Sequence, residues 1–239
     1  MLGFSKRLIE PELLDHADPA DARINLGQLV RLNKRFGGHS TIRKMLQEAA
    51  LEQEQFTILD VGAASGDSGR LISELYPHGR VTNFDCNPVN LAEAAYPKVI
   101  GDAFQLPFVE SSFDYVFCSL LLHHFSDEKV IELLRQFNRV ARRAVLVCDL
   151  ERSILPYLFM TMTKPVFGWH QITVHDGQKS FRAAFSANEL LNLAKAAGLT
   201  DPKVTSHRPA FRITLIARKP EIKHDGISLE RQQFRFGRR

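Results

Sequence analysis

No stretch of this 239-residue chain approaches the ~18 to 20 unbroken apolar residues that a membrane-spanning helix needs. The nearest, residues 154–169, is broken by Pro156, Lys164 and Pro165. Residues 1–22 hold no apolar core of signal-peptide length and turn acidic early, so the expected location is the cytoplasm. Cysteine is scarce. Cys86, Cys118 and Cys148 lie far apart, form no C-x-x-C pair and cannot supply a four-ligand zinc site. A disulfide framework is equally poorly served in a chain of this length. All three sit in strand-like apolar runs and read as buried small hydrophobes. Charge of one sign is also lacking over most of the chain. The net charge is +4, yet residues 218–239 alone carry seven Lys/Arg against three Asp/Glu, which accounts for the whole excess. A neutral body argues against a broad nucleic-acid-binding face. No internal repeat is present, and no His/carboxylate cluster at ligand spacing calls for a metal.

What is present is an ordinary globular balance, 44% hydrophobic and 24% charged, with room for a full core. Residues 21–36 place Ile24, Leu29, Leu32 and Phe36 near a helical stripe. Gly37-Gly38 then stops the helix, and Ser40 is positioned to cap a second one running to about Glu54. From Phe56 the texture changes to short apolar runs, at 56–61, 80–85, 98–101, 113–120 and 144–150. Between them lie helical patterns near 67–76, after Pro88 to about Ala95, and at 127–140. That alternation predicts β-α-β units and a mostly parallel sheet. Residues 153–185 are aromatic-rich, punctuated by Pro and Gly, and match no strand-helix unit. Ser186 to Glu189 is an S-x-x-E capping box opening a helix to Gly198. Runs at 204–208 and 211–217, separated by Pro209-Ala210, read as a closing hairpin. The expected layout is a helical cap over 1–55 and a main domain over 56–219. Residues 153–185 form an insertion within that domain, and 220–239 a basic tail.

The chemistry concentrates where strands end. In residues 58–67 an apolar strand carries Asp60 near its end, and a turn with Gly62 and Gly66 opens a helix. In an open parallel sheet ligands bind at the carboxyl ends of strands, and glycine lets the backbone come close to them. Asp85 ends the second strand, where a carboxylate can accept both hydroxyls of a ribose. Together they point to a nucleoside-bearing cofactor. A dinucleotide site wants G-x-G-x-x-G. Here the glycines fall at 62, 66 and 69, with Ala64 between them and Asp67 at the helix start, where a pyrophosphate would lie. Asp60 suits an ammonium or an ordered water, hence a ligand bearing an amino acid.

The run LDVGAASG at 59–66 resembles the first motif of class I S-adenosylmethionine-dependent methyltransferases. Asp85 matches that family's ribose-holding acid. Gly101-Asp102-Ala103-Phe104 is similar to the third motif, in which the Asp contacts the adenine amino group. Phe113 to Phe117 followed by Leu122-His123-His124-Phe125 looks like the fourth strand and its exit loop in small-molecule members, the ubiquinone/menaquinone-type group above all. The resemblance spans about 56–217. It implies an α/β, Rossmann-like, seven-stranded mostly parallel sheet with its last strand antiparallel, and S-adenosylmethionine as cofactor. The implied cofactor residues are Asp60, Gly62, Ala64 and Gly66 in the first motif, then Asp85 with Cys86, Asp102 with Ala103, and Ser119. The departure is Ala63-Ala64, where the family commonly has glycine, which leaves less room beside the cofactor's methionine part. Each position has a structural alternative. Gly62 and Gly66 could serve only a tight turn, Asp85 a helix cap and Asp102 an Asx turn, while Asp114, early in its strand, reads as structural.

The implied reaction is methyl transfer to a small, largely apolar acceptor, a phenolic or enolic oxygen or a quinone-ring carbon. An oxygen acceptor profits from a base, and His123 and His124 stand at the right strand end. His170 and His175 lie in the insertion, with Tyr157, Phe159, Met160, Met162, Phe167 and Trp169 as apolar lining. The N/D-P-P-Y/F element of base-amine methylation is absent, as is a Pro-Cys or Thr-Cys nucleophile. The alternatives are an RNA methyltransferase recruited by the basic tail and an NAD-dependent oxidoreductase.

Overall fold

The computed structural model describes residues 6–10, 13, 18–49 and 55–220. Residues 221–239, and so most of the basic tail, lie outside the described residues. Five strands, β1 (Thr57–Val61), β2 (Arg80–Asp85), β3 (Lys98–Ile100), β4 (Phe113–Ser119) and β5 (Ala141–Leu150), run parallel. The hairpin of β6 (Lys203–His207) and β7 (Arg212–Arg218) closes one edge, with β7 antiparallel to both neighbours. The seven-stranded sheet has the order β3-β2-β1-β4-β5-β7-β6. It is the α/β, Rossmann-like architecture expected from the sequence, including the antiparallel last strand.

The central strands β1, β4 and β5 are largely apolar because both faces are covered. Alternate side chains point to opposite faces. Leu59, Val61, Val116, Cys118, Val145 and Val147 pack against α4 (Asp127–Val140) and α7 (Ala187–Ala196). Ile58, Tyr115, Phe117, Leu146 and Cys148 pack on the other side against α2 (Gly38–Glu48) and α3 (Asp67–Leu75). The expected capping box at Ser186/Glu189 is formed. The helix α1 (Pro19–Arg35) leads into α2.

Four local expectations are corrected. First, α2 is not capped by Ser40. Gly37, at φ 87°, occupies the cap, and the Ser40 hydroxyl donates back to Gly37 O at 3.0 Å. Second, the segment after Pro88 forms only a 3₁₀ turn, Asn90–Glu93. Asn87 Oδ1 accepts from Val89 N and Asn90 N, a local bond that competes with an α-helical start. Third, residues 153–185 form α5 (Ile154–Phe167) and α6 (Gln171–Ala183). Pro156 falls in the first turn of α5, where no N–H partner is needed, and the apolar residues are too dense for a one-sided stripe to show. Fourth, Cys86 is exposed while Cys118 and Cys148 are buried. Cys86 lies one residue beyond β2, outside the sheet.

Asp114 is structural, as its position suggested. Its Oδ2 accepts from Thr57 N at 2.9 Å and from Thr57 Oγ1 at 3.1 Å, and its other oxygen pairs with Arg142 and, at 3.1 Å, Arg143. Burial alone would raise its pKa, but the Thr57 donors and Arg142 outweigh it and hold the carboxyl below its ordinary value. The stabilisation is therefore complete above the unfolded-state pKa and disappears as pH falls through the lower folded-state value. Asp114→Asn should cost about 2 kcal/mol near neutral pH, the worth of hydrogen bonds to a charged group. Urea unfolding near pH 7 and again in acid should show the gap between wild type and variant closing.

Candidate functional site

The carboxyl ends of β1, β2, β4 and β5 open into a cavity of about 920 Å³. Gly62, Ala64, Asp85, Ser119, His123 and His124 all contribute to its wall. Its roof comes from outside the sheet: α1 (Leu26, Leu29, Val30), α5 (Leu155, Phe159), α6 (Thr173, Phe181) and the β6–β7 turn. Tyr157 packs on the buried group of Leu150, Phe181 and Ala184. Met162 is exposed, Trp169 is buried outside the wall, and the side chains of Met160 and Phe167 lie outside the described residues. His170 and His175 are not on the wall either.

The glycine turn is pinned to β2. Gly62 N and Ala63 N both donate to Phe84 O, at 2.8 and 3.1 Å. Gly62 has φ 73° and Gly66 φ 72°, a region open to glycine at no steric cost. Ala64 sits at φ 45°, which costs an alanine roughly 1–2 kcal/mol. Its N–H is aimed at Asp85 Oδ2, 2.9 Å away. Gly66 has a packing task instead of a wall position. A Cβ there would stand 2.9 Å from Ala94 Cβ and 3.0 Å from its Cα.

Three carboxylates surround this turn. Asp67 pairs with His39 of α2 at 2.7 Å. Asp85 Oδ1 accepts from Asn87 N at 2.9 Å, so Asp85 organises the loop after β2 and does not cap a helix. Asp60 is almost fully buried, and its Oδ2 has no hydrogen-bond partner among the described residues. Burial first, then the charges of Asp85 and Asp67, push its pKa up to about 8. Beyond the wall, Asp102 Oδ1 accepts from Phe104 N at 2.9 Å, the Asx-type alternative, and caps the 3₁₀ turn Ala103–Gln105. It remains exposed beside Cys86, whose thiol is pushed up by burial and by Asp85, with a smaller push from Asp102. Cys86, Asp102 and Ala103 thus extend outward from Asp85, off the cavity wall.

Sequence reasoning missed Asp149. It is fully buried, near the end of β5. Its Oδ1 takes His123 Nδ1 at 2.6 Å and Leu150 N, and its Oδ2 takes Leu122 N and His123 N. Burial pulls the Asp149 pKa up, but these partners prevail and hold it below the ordinary value. The available signal was the one that marked Asp60 and Asp85, an acid near the end of an apolar run. The His124 ring lies 4.2 Å from that of His123. Burial, then the neighbouring His123, push the His124 pKa down to about 3. Arg7 also went unnoticed. Its guanidinium donates to Ala183 O and Phe125 O at 2.8 and 2.9 Å and lies 4.0 Å from the Phe185 ring centroid, tying the β4 exit loop to the end of α6.

Comparison with known proteins agrees with this geometry. Residues 58–144 match the methyltransferase domain family. Over that segment the chain is similar to a methyltransferase domain. Over 140 residues, 56% of the chain, it is 29% identical to a demethylmenaquinone methyltransferase of Thermotoga maritima, covering 59% of that protein. The enzyme of the same name from Staphylococcus aureus is 32% identical over 151 residues, with 61% of its length covered. The chain therefore spans about three fifths of the length of these relatives. A SAM-dependent methyltransferase from Aquifex aeolicus has the same fold at 16% identity, with TM-score 0.58 over 84% of this chain and 98% of that one. The matched segment thus holds the glycine turn, Asp60, Asp85 and the β4 strand, while α1, α5 and α6 complete the cavity from outside it.

The raised Asp60 pKa has a measurable consequence. A carboxyl that is neutral when folded and ionised when unfolded loses stability as pH climbs from its unfolded pKa toward about 8. The ligand-free wild type should therefore melt at falling temperature over that window. Asp60→Asn, always neutral, should flatten the slope and melt higher than wild type at the alkaline end. Thermal melts across pH check this.

Proposed function

We propose that this protein transfers the methyl group of S-adenosylmethionine to a small, largely apolar acceptor, at a phenolic or enolic oxygen or at a quinone-ring carbon. The observation that carries the reading is the buried Asp60 carboxylate behind the glycine turn, next to Asp85, with its Oδ2 left without a hydrogen-bond partner among the described residues. A buried acid with an oxygen left unpaired suits a cation, and a ligand with an ammonium and a ribose matches both groups. Asp85 would hold the ribose hydroxyls through the lone pairs left by Ala64 and Asn87, and Asp60 would face the ammonium end. Gly62 and Ala64 would bring the backbone near the amino-acid part, with Gly66 keeping the turn tight. Cys86, Asp102 and Ala103 would border the adenine, and Ser119 the middle of the ligand. S-adenosylmethionine, when bound, supplies an electrophilic methyl on a sulfonium. The apolar roof excludes water and orients the acceptor. The similarity to demethylmenaquinone methyltransferases favours a quinone-like acceptor.

Proton removal is assigned to His123. Asp149 fixes its tautomer and would stabilise the imidazolium. His124, with a pKa of about 3, is a weak base and serves as the neutral ring beside it. His123→Ala should then reduce turnover by about 10²- to 10⁴-fold with cofactor affinity intact. The acid limb of the wild-type pH–rate profile should vanish in that variant. Turnover unchanged in the variant, with a flat wild-type profile, would instead mean that the acceptor arrives ionised.

The test of the cofactor reading is binding. S-adenosylhomocysteine should raise the melting temperature by mass action, and Asp85→Ala should weaken it by about 1.5–3 kcal/mol. Stabilisation by NAD but not by S-adenosylhomocysteine would overturn the assignment.

A further inference from the structure

At the roof end of the cavity stands a cation that the proposed chemistry does not use. Arg212, the first residue of β7, lines the cavity yet is only 7% exposed. Among the described residues its guanidinium makes one side-chain hydrogen bond, to Asn33 Oδ1 of α1 at 3.1 Å, and no ion pair. Every carboxylate on the cavity wall is engaged elsewhere. Glu10 faces Lys179 at 4.0 Å, Asp67 pairs with His39, Asp85 with the Ala64 and Asn87 amides, and Asp176 with Leu13 N and His175. Asp149, whose charge reaches Arg212, is committed to His123 and three backbone amides. An arginine keeps its charge in such a place, and a buried charge without a counter-ion is costly.

A second polar side chain of the wall is left unsatisfied among the described residues. Asn25, 1% exposed, donates through Nδ2 to Thr173 Oγ1 at 3.1 Å, while its Oδ1 has no partner. Asn25 and Asn33 are eight residues apart on α1, about 12 Å along the axis. Between them the wall is Leu26, Leu29, Val30 and Leu32. The site therefore reads as an anion anchor, an apolar span, and an acceptor waiting for a donor.

We infer that the methyl acceptor carries a carboxylate, held by Arg212, on an apolar body of fused-ring dimensions whose hydroxyl or N–H meets Asn25. This rests on the proposed acceptor site and names its substrate class. A carboxylate is favoured over a phosphate because Arg212 is the one Lys or Arg among the described wall residues. A single guanidinium matches a planar monoanion in bidentate fashion and leaves a dianion half neutralised.

The test compares 4-hydroxybenzoate and 6-hydroxy-2-naphthoate with their primary amides, by calorimetric titration of the full chain. Wild type should bind the carboxylates at least about tenfold more tightly than the amides. Arg212→Gln, which keeps a donor for Asn33 but drops the charge, should abolish that preference and leave amide binding unchanged. Binding of S-adenosylhomocysteine to the variant serves as the fold and cofactor-end control, and a role limited to docking α1 would not move the carboxylate preference. Equal affinity of wild type for acids and amides, or a preference that survives Arg212→Gln, would overturn the inference even if the cofactor binds. Failure of S-adenosylhomocysteine to bind wild type, with the carboxylate preference present, would strike the proposed reaction and leave the anion site standing. Should the variant not fold, the wild-type comparison of acids with amides decides alone.

Discussion

A parallel sheet covered on both faces leaves little room for polar side chains except at its edges and ends, and this constraint shapes the molecule. Along the middle of β1, β4 and β5 almost every side chain is buried and apolar. Asp60, Asp85, Ser119 and Asp149 all stand at or next to the carboxyl ends. The crossovers that make the strands parallel also bring those ends to one side. Four separate stretches of sequence thus become one polar rim. Their different environments then divide the work. Asp85 organises a loop, Asp149 holds a histidine, and Asp60 is left with an oxygen that none of the described residues satisfies.

The rim alone would be an open crevice. It becomes a deeper, roofed cavity because residues before and after the strand-helix core line its other side. His39 of α2 reaches Asp67 at the start of α3, Arg7 clasps the β4 exit loop to α6, and Arg212 of β7 meets Asn33 of α1. Each contact joins segments far apart in sequence. The roof is therefore tied to the same elements that carry the candidate chemistry, and a change in α1 or the N-terminal segment should be felt at the acceptor side first.

Much of this was legible in the residues. Alternating apolar runs and helical patterns announced the parallel sheet, and the glycines around Ala64 marked the turn at the end of β1. Acids ending apolar runs marked Asp60 and Asp85. What escaped is what depends on distance in sequence. The partnership of His123 with Asp149 spans 26 residues, and nothing in either segment names the other. The solitude of Arg212 is a tertiary property, since an arginine opening a strand reads like any surface cation. The two helices of 153–185 were hidden for a different reason. In α5 the apolar Ile154, Leu155, Leu158, Phe159 and Met162 stand exposed, and α6 buries the polar Thr173, Asp176 and Ser180, so neither shows the one-sided apolar stripe by which a surface helix is recognised.

The central claim is that the polar rim and the apolar roof form one reaction chamber, with the donor methyl group on the rim side and the acceptor on the roof side. The most direct measurement is transfer of a labelled methyl group from S-adenosylmethionine to phenols, quinols, hydroxyaryl carboxylates and RNA presented separately. The account predicts label in one of the small apolar compounds, at an oxygen or a ring carbon, and none in RNA. Label confined to RNA, or no transfer to any of the small compounds despite cofactor binding, would contradict it.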